Sequence, residues 1–398
     1  MDIQKMDTAY YVFDIGVLKK RVAYLRSRLP QSVQLCYAVK ANTFLIRDLI
    51  GEVERFEICS PGEAVICEKM KVPDHWMVIS GVYKTPAVMR RMTELEDDRI
   101  FTVESAEQFE LFLQLRKKRR KKIPLLLRMT NNSQFGMNPE EIKEIIKQRE
   151  KYPELVIRGI QFFSGTQKNS VKKIKREISR LDLLLSELKE LYGYEAQELE
   201  YGPGLPVAYF KEDEIDEELL LAGLSEAVQG MVNTPRIVLE LGRSIAAGCG
   251  SYYTHVVDKK TNGGQNYLLL DGGMHQLAYF GQHMAMKQPF LKLCGEKSDK
   301  QPEIAYNLCG SLCSMNDILA KQVLLPATEI GDLICFENAG AYCVTEGIAL
   351  FLSRELPAVF LKTEEGEYMC VREPVETAGL NICLLYTSPS PRDTERSR

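Results

Sequence analysis

The chain has 398 residues, of which 45% are hydrophobic and 27% charged, as is typical of a globular protein with one large domain or two ordinary ones. Its net charge of -4 is too small to favour broad electrostatic binding of nucleic acid. The 11 cysteines form no CxxC pairs, and no signal peptide or membrane-length apolar run is visible, so we expect a cytoplasmic protein with no membrane partner. The 4 histidines show no metal-ligand spacing, so we expect no metal site.

The first part of the chain alternates between apolar runs and helical segments. A short strand is predicted near Tyr11, and a helix follows it. Eight apolar runs come next with helices between them, of which Val171–Tyr192 has the clearest apolar stripe. The runs cover residues 33–39, 55–60, 76–81, 99–103, 123–129, 155–164, 198–202 and 236–241. This order predicts an α/β fold in which eight parallel strands close as a (β/α)8 barrel, and an open doubly wound sheet is the alternative.

The pattern changes after Arg243. Residues 252–257 and 267–270 flank the turn Asn262-Gly263-Gly264 and read as a hairpin, and further short strands follow. We therefore predict a C-terminal β domain that the N-terminal strand joins. The predicted division is 1–16 for the joining strand, 17–241 for the barrel, 242–383 for the β domain, and 384–398 for a tail that is disordered or foreign to the fold.

Lys40 stands at the exit of the first barrel strand, within Tyr37-Ala38-Val39-Lys40-Ala41-Asn42. A lysine at the end of a buried strand is half-desolvated, which is expected to lower its pKa and to free the neutral amine. A neutral amine in a pocket can form a Schiff base with an aldehyde cofactor or a carbonyl substrate. The alternative is a lysine that leaves the core and extends to water.

Other polar residues also fall at strand ends, where the active sites of such barrels lie. A pyridoxal-phosphate site needs a lysine, donors for the phosphate, a group facing the pyridine nitrogen and groups that move protons. Gly202 and Gly204 can bring backbone N–H groups close to a phosphate, near the expected position of Arg243. Glu240 can keep the pyridine nitrogen protonated. Taken singly, the glycines are ordinary turn residues, and Glu240 with Arg243 could be a structural ion pair.

These motifs together resemble the fold-type III pyridoxal-phosphate decarboxylases, which include diaminopimelate, ornithine and arginine decarboxylases, over nearly all of residues 8–383. The segment around Lys40 is similar to their cofactor-lysine motif, and residues 56–63 to their second-strand motif. Gly202-Pro203-Gly204 resembles their phosphate-binding glycine loop. The resemblance implies an alanine racemase-like barrel with a C-terminal β domain and pyridoxal 5'-phosphate as the cofactor.

Further motifs carry implied roles. Glu240-Leu241-Gly242-Arg243 matches a Glu-x-Gly-Arg motif whose Glu faces the pyridine nitrogen and whose Arg lies by the phosphate and substrate. Residues 310–317 resemble the segment in which a cysteine, here Cys313, is donated by the partner subunit as a proton source. Tyr342 matches a tyrosine that contacts the cofactor phosphate. The implied reaction is displacement of Lys40 by the amino acid, loss of its carboxylate, and reprotonation by Cys313 in a homodimer with shared sites.

The chain departs from the family at positions that bear on the substrate. Phe163 stands where members usually carry a ring-stacking His, and Ser314 follows Cys313 where diaminopimelate enzymes carry Glu. Tyr279 lies where a cationic partner for the substrate carboxylate is expected. Recognition of meso-diaminopimelate is therefore doubtful, and the Phe-Ser-Gly-Thr-Gln form is closer to branches that decarboxylate an amino acid joined to citrate or to a carrier protein.

The sequence thus predicts a decarboxylase of an amino acid, either free or conjugated, with Lys40 and Cys313 as catalytic residues. An amino-acid racemase on the same fold and a non-catalytic pyridoxal-phosphate-binding relative are the alternatives. The predicted cofactor-binding residues are Lys40, Glu57, Arg128, Phe163, Thr166, Gly202, Gly204, Glu240, Arg243 and Tyr342. The predicted substrate contacts are Arg243, Ser314, Asp317 and Tyr279.

Overall fold

The computed structural model of the chain describes residue 6 and residues 9–94, 98–116, 121–279, 285–295 and 302–383. The predicted tail at 384–398 lies outside the described residues. Strands and helices are numbered along the chain from β1 and α1.

Eight parallel strands close into a barrel in chain order, which confirms the prediction and excludes the open sheet. The strands are β2 (Gln34–Ala38), β3 (Arg55–Ile58), β4 (Met77–Ile79), β5 (Ile100–Val103), β6 (Ile123–Arg128), β7 (Leu155–Phe163), β8 (Glu198–Gly202) and β9 (Arg236–Leu241). The barrel closes where β9 pairs with β2, with Val238 opposite Gln34 and Leu241 opposite Tyr37. All eight carboxyl ends therefore meet at one mouth.

Helices precede, separate and follow the barrel strands. They are α1 (Ile15–Arg28), α2 (Ile46–Leu49), α3 (Pro61–Lys69), α4 (Pro86–Glu94), α5 (Ala106–Leu115), α6 (Pro139–Lys147), α7 (Val171–Tyr192), α8 (Glu217–Gln229) and α9 (Arg243–Ala246). Side-chain oxygens of Ser60, Ser105 and Ser170 cap the starts of α3, α5 and α7 by accepting backbone N–H groups. Helix α7 buries the predicted apolar stripe and ends at Gly193, which has a positive φ of 58°.

A second, nine-stranded sheet follows the barrel in sequence. It contains β1 (Tyr10–Asp14), β10 (Gly250–Asn262), β11 (Gln265–Leu270), β12 (Leu291–Leu293), β13 (Glu303–Cys309), β14 (Ile318–Pro326), β15 (Leu333–Phe336), β16 (Ala358–Lys362) and β17 (Tyr368–Arg372), and the short helix α10 (Ala378–Asn381) comes after β17. Strands β10 and β11 form the predicted hairpin around Gly263 and Gly264. The N-terminal β1 lies between β10 and β16. The exact domain boundaries stay a prediction.

The loop after β15 connects this sheet to the barrel mouth. The backbone N–H of Tyr342 donates to the carbonyl oxygen of Ala41 at 2.7 Å. In return, the side-chain amide of Asn42 donates to the carbonyl of Gly340 at 2.8 Å. These two hydrogen bonds place Tyr342 beside the turn that follows β2 and contains Lys40. Within the described residues, no helix combines the length and the apolar character needed to cross a membrane.

Candidate active site

A cavity of about 350 Å³ opens at the carboxyl ends of the barrel strands. This volume is in the range of small-molecule sites. Eight of the predicted site residues line it, namely Lys40, Glu57, Phe163, Thr166, Gly204, Glu240, Arg243 and Tyr342. They come from five different strand ends and from the loop after β15, so the fold alone brings them together.

Lys40 and Glu57 form an ion pair at the floor of this cavity. Lys40 lies in a short turn after β2, and its Nζ is 3.0 Å from Oε2 of Glu57 and 3.5 Å from Sγ of Cys59. The lysine side chain is 42% exposed to the cavity, whereas that of Glu57 is 4% exposed. The pairing arises because β2 and β3 are neighbours, with Ala38 opposite Glu57.

The negative charge of Glu57 raises the pKa of Lys40, in the opposite direction to the prediction. Burial by itself lowers the pKa of Lys40, as the sequence suggested, but the Glu57 carboxylate and smaller contributions from Cys59, Tyr342 and Glu240 outweigh it. The pKa of Lys40 is therefore raised well above its ordinary value. Lys40 is a paired ammonium in the cofactor-free protein, and the expectation of a free neutral amine was wrong.

Glu240 is a buried carboxylate near the end of β9, the strand on the other side of β2 from Glu57. The side-chain amide of Gln161, on β7, donates to Oε1 of Glu240 at 2.5 Å. Burial and the neighbouring charge of Glu57 raise the pKa of Glu240, while hydrogen bonds from Glu200 and Gln161 oppose that rise. The orientation of this carboxyl is thus fixed by groups on neighbouring strands.

Arg243 provides a cation at the rim. Its Nη1 donates to the hydroxyl oxygen of Tyr209 at 2.6 Å, and its Nε donates to Oγ1 of Thr166 at 3.4 Å. The guanidinium carbon lies 4.4 Å from the centre of the Tyr342 ring. Three predicted residues, Thr166, Arg243 and Tyr342, therefore form one cluster.

The glycine loop, residues 202–204, can hold only glycine at both ends. A Cβ on Gly202 would lie 2.4 Å from Cδ2 of Phe163. Gly204 has a φ of +59°, and a Cβ there would lie 2.0 Å from the carbonyl oxygen of Gly165. The backbone therefore packs closely against the loop after β7, and Phe163 covers the base of the glycine loop.

The remaining predicted residues lie outside the cavity lining of this chain. Arg128 is buried and its Nη1 is 3.0 Å from Oε1 of Glu104. The carboxylate of Asp317 accepts backbone N–H groups at 2.7 and 2.8 Å within its own domain. Tyr279 is fully buried, Cys313 is exposed and Ser314 is half-buried. Their roles as predicted from the resemblance stay predictions.

Sequence reasoning missed several charged or polar groups next to the site. Lys168 lies under the glycine loop, where its Nζ donates to Glu177 at 2.7 Å and to the carbonyl of Gly202 at 3.3 Å. Burial lowers the pKa of Lys84, which lies near Glu104 and Arg128, to about 8. The available signal was the presence of polar residues, such as Gln161 and Glu200, inside otherwise apolar strands. Such side chains are rarely buried unless they are hydrogen-bonded or paired.

Comparison with known proteins shows which family the chain resembles. The family model described as "Pyridoxal-dependent decarboxylase, C-terminal sheet domain" matches residues 10–340. The diaminopimelate decarboxylase of Aquifex aeolicus is 26% identical, covering 85% of this chain and 83% of that protein. The L-glutamyl-[BtrI acyl-carrier protein] decarboxylase of Niallia circulans is 25% identical, covering 93% of this chain and 92% of that protein.

Two further matches extend the comparison. The 2-[(L-alanin-3-ylcarbamoyl)methyl]-2-hydroxybutanedioate decarboxylase of Staphylococcus aureus is 26% identical, covering 92% of this chain and 96% of that protein. The crystal structure of diaminopimelate decarboxylase from M. jannaschii superposes with a TM-score of 0.85 at 22% identity, covering 96% of this chain and 93% of that one, and so shows the same fold. With the family model spanning both the barrel and most of the second sheet, the chain belongs to the pyridoxal-dependent decarboxylases and is a pyridoxal-phosphate-dependent amino-acid decarboxylase.

Proposed function

We propose that this carboxy-lyase, of class EC 4.1.1.-, acts on an amino acid joined to a larger group, such as citrate or a carrier protein, rather than on free meso-diaminopimelate. The observation that carries this proposal is the state of Tyr279. Its ring packs against Tyr209 and Phe210, and its hydroxyl donates to the carbonyl oxygen of Glu337. A position expected to provide a cation to a distal carboxylate is instead a buried, satisfied phenol.

The names of two relatives support the same proposal. One acts on a glutamyl group on an acyl-carrier protein, and the other on an alanine unit attached to a hydroxybutanedioate. Both match more than nine-tenths of this chain. Ser314, where diaminopimelate enzymes carry a carboxylate, removes the partner for a distal ammonium and fits a substrate whose distal end carries no such charge.

The residues around the cavity fit pyridoxal phosphate. The donor set contains a lysine, a buried carboxylate and a rim of hydroxyl and guanidinium groups, and the glycine loop leaves its backbone uncovered by any Cβ. Bound there, the cofactor supplies an aldehyde for amines and an electron-withdrawing ring. We propose that Lys40 holds the aldehyde, Glu240 faces the ring nitrogen, Phe163 stacks on the ring, and that the glycine loop, Thr166, Arg243 and Tyr342 hold the phosphate. In this proposal Glu57 and Arg128 support the floor of the site.

Proton transfer in this site depends on two groups of the chain. Lys40 must lose a proton before its nitrogen can bond to carbon, and the carboxylate of Glu57, 3.0 Å away, is the acceptor within reach. Cys313 of the partner subunit would return a proton to the substrate carbon, with Asp317 holding the loop that carries it. We therefore propose a homodimer with shared sites. We also propose a location in the cytoplasm and a division of the chain into residues 1–16, 17–241 and 242–383.

Steady-state kinetics on a panel of substrates tests the proposed substrate class. Carbon dioxide release is compared for meso-diaminopimelate, lysine, ornithine, diaminopropionate, citrate conjugates and carrier-bound glutamate. Two missing charged hydrogen bonds, at about 1.5–3 kcal/mol each, predict that kcat/KM for meso-diaminopimelate is roughly two to four orders of magnitude below that of the best conjugate.

A matched variant sharpens the comparison. Ser314→Glu restores a carboxylate after Cys313, so it should raise kcat/KM for meso-diaminopimelate relative to the conjugates. Turnover of meso-diaminopimelate above every other substrate by the unmodified enzyme would contradict the proposal.

A further inference from the structure

A group of charged side chains lies inside the barrel, below the cavity. Glu198 and Glu200 are on the same face of β8, and Arg55 reaches them from β3. The guanidinium of Arg55 makes two hydrogen bonds to Glu198, at 3.0 and 2.7 Å. Its nearest approach to Glu200 is a looser 3.6 Å. The charge of Arg55 is therefore directed at Glu198.

Glu200 has a different environment from Glu198. It is 0% exposed, and neither of its carboxyl oxygens accepts a hydrogen bond from an N–H or O–H group in the part of the chain that the structure describes. Glu240 lies two residues beyond the partner of Glu200 on the adjacent strand β9, and each carboxyl shifts the pKa of the other. Gln161, which donates to Glu240, stands directly opposite Glu200 on β7. Two ionised carboxylates close together in a buried site repel each other strongly, so such pairs share a proton.

We propose that Glu200 is a neutral carboxylic acid whose O–H donates a hydrogen bond to the Glu240 carboxylate, so that the pair carries a single negative charge. Glu240 then receives two hydrogen bonds, one from Glu200 and one from Gln161. Glu200 is a positioning residue: it fixes Glu240 and keeps it anionic. Its consequence for the ring nitrogen of the cofactor rests on the role proposed above for Glu240.

The charged and titratable groups around Glu200 support this assignment. Burial raises the pKa of Glu200 well above its ordinary value, and Glu240 and, more weakly, Glu198 raise it further, whereas Arg55 lowers it. The thiol of Cys36, on β2, faces the same space. Burial, with contributions from Glu200, Glu240 and Glu57, raises its pKa too, which keeps it neutral. The proton therefore stays on Glu200 while the hydrogen bonds from Glu200 and Gln161 favour the charged form of Glu240.

Infrared spectroscopy of the cofactor-free protein tests the pair directly. At neutral pH the wild type should show the carbonyl-stretch band of a protonated carboxylic acid, with the usual shift in D₂O. Glu200→Gln should remove this band. Glu198→Gln makes the same chemical change two residues away on the same strand and should leave the band in place. Absence of the band in the wild type, or its persistence in Glu200→Gln, would overturn the proposal.

Thermal unfolding as a function of pH provides a second measurement. A carboxyl with a raised pKa keeps its proton in the folded protein. In the unfolded chain the same carboxyl loses its proton above its ordinary pKa of about 4.3. The folded state therefore binds more protons than the unfolded state, and wild-type stability falls as pH rises. Glutamine carries no such proton, so the Tm of Glu200→Gln minus that of the wild type should increase from pH 5 to pH 8, a range of roughly three units. Glu198→Gln should lower Tm at neutral pH, because it leaves Arg55 without its main partner. A Glu200→Gln variant that loses stability as Glu198→Gln does would contradict a neutral Glu200.

The loaded enzyme separates this inference from the proposed role of Glu240. Glu200→Leu has no donor for Glu240, so kcat should fall about tenfold or more and its pH profile should shift. Glu200→Gln keeps an N–H donor, so its kcat should fall less and its pH profile should shift less. If the infrared band is present but Glu200→Leu leaves the pH profile and the cofactor absorbance unchanged, the proton-sharing pair stands and the role of Glu240 at the ring nitrogen fails. If the band is absent, the pair fails whatever the kinetics.

Discussion

At the scale of single residues, the reactivity of Lys40 depends on the carboxylate beside it. In the cofactor-free protein, Glu57 holds the lysine as an ammonium, which cannot attack an aldehyde. The same carboxylate is the group that can take the proton away. Glu57 therefore has two opposing effects on attachment: it stabilises the unreactive form, and it offers a nearby acceptor for the proton.

The variant Glu57→Gln should shift the pH dependence of cofactor attachment. Removing the negative charge of Glu57 leaves burial, which lowers the pKa of Lys40, opposed by the smaller contributions of Cys59, Tyr342 and Glu240. The pH at which attachment is half-maximal should fall by about one unit or more, equivalent to about tenfold more neutral amine at a given pH below it. The measurement is the rate at which cofactor-free protein gains the bound-cofactor absorbance, with borohydride reduction to confirm that the label is on Lys40.

Glu104→Gln serves as the control, because Glu104 is a buried carboxylate at the end of β5 that pairs with Arg128 rather than with Lys40. It should leave the midpoint of the attachment profile in place. A midpoint in Glu57→Gln at or above that of the wild type would show that Glu57 does not set the pKa of Lys40. Labelling of another lysine would contradict the assignment of Lys40 itself.

At the scale of the elements, the glycine loop after β8 is held from below as well as from the side. The backbone N–H of Lys168 donates to the carbonyl of Gly204 at 2.9 Å, and its ammonium contacts the carbonyl of Gly202. Glu177, on α7, holds that ammonium in place. A strand, a loop and a helix thus fix the backbone that we propose to bind the phosphate.

Gly204→Ala should weaken cofactor binding much more than it weakens the fold. The left-handed φ costs a residue with a Cβ about 1–2 kcal/mol, and here the Cβ also meets the carbonyl of Gly165, so the loop must move. We expect the Kd for pyridoxal phosphate, measured by fluorescence titration, to rise about tenfold or more.

Gly193→Ala is the matched control for this loop. Gly193 has nearly the same φ, +58°, but no atom within 4 Å of the added Cβ, and it ends α7 rather than lining the cavity. It should lower Tm modestly while leaving the Kd unchanged. Equal effects of both substitutions on the Kd would mean that a general loss of stability, rather than a local change in the glycine loop, weakens cofactor binding.

At the scale of the whole molecule, most of the architecture follows from the order of the apolar runs. All eight runs became barrel strands, because buried parallel strands read as continuous apolar segments and alternate with helices. Lys40 and Glu240 met at one cavity because carboxyl ends of barrel strands share a mouth. The sign of the Lys40 pKa shift was not predictable, because it depends on a distance between side chains on neighbouring strands. The proximity of Glu200 and Glu240 could not be predicted from the sequence for the same reason.

The position of Cys313 leads to a prediction about the assembly. Cys313 is exposed and is not among the residues that line the cavity of its own chain, so in the homodimer proposed above a second copy supplies the proton donor. Mixing inactive Lys40→Ala with inactive Cys313→Ala, under conditions of verified subunit exchange, should restore roughly a quarter of wild-type kcat. Random exchange makes about half of the dimers mixed, and each mixed dimer has one intact site of two.

The control for this experiment pairs Lys40→Ala with Glu240→Ala. Both residues line the cavity of the same chain, so every site in a mixed dimer lacks one of them and no activity should return. Recovery in the first mixture and none in the second would locate Cys313 and Lys40 on different subunits of each working site. No recovery in either mixture would place both groups in one chain, and the loop at residues 310–317 would then have to close over its own barrel.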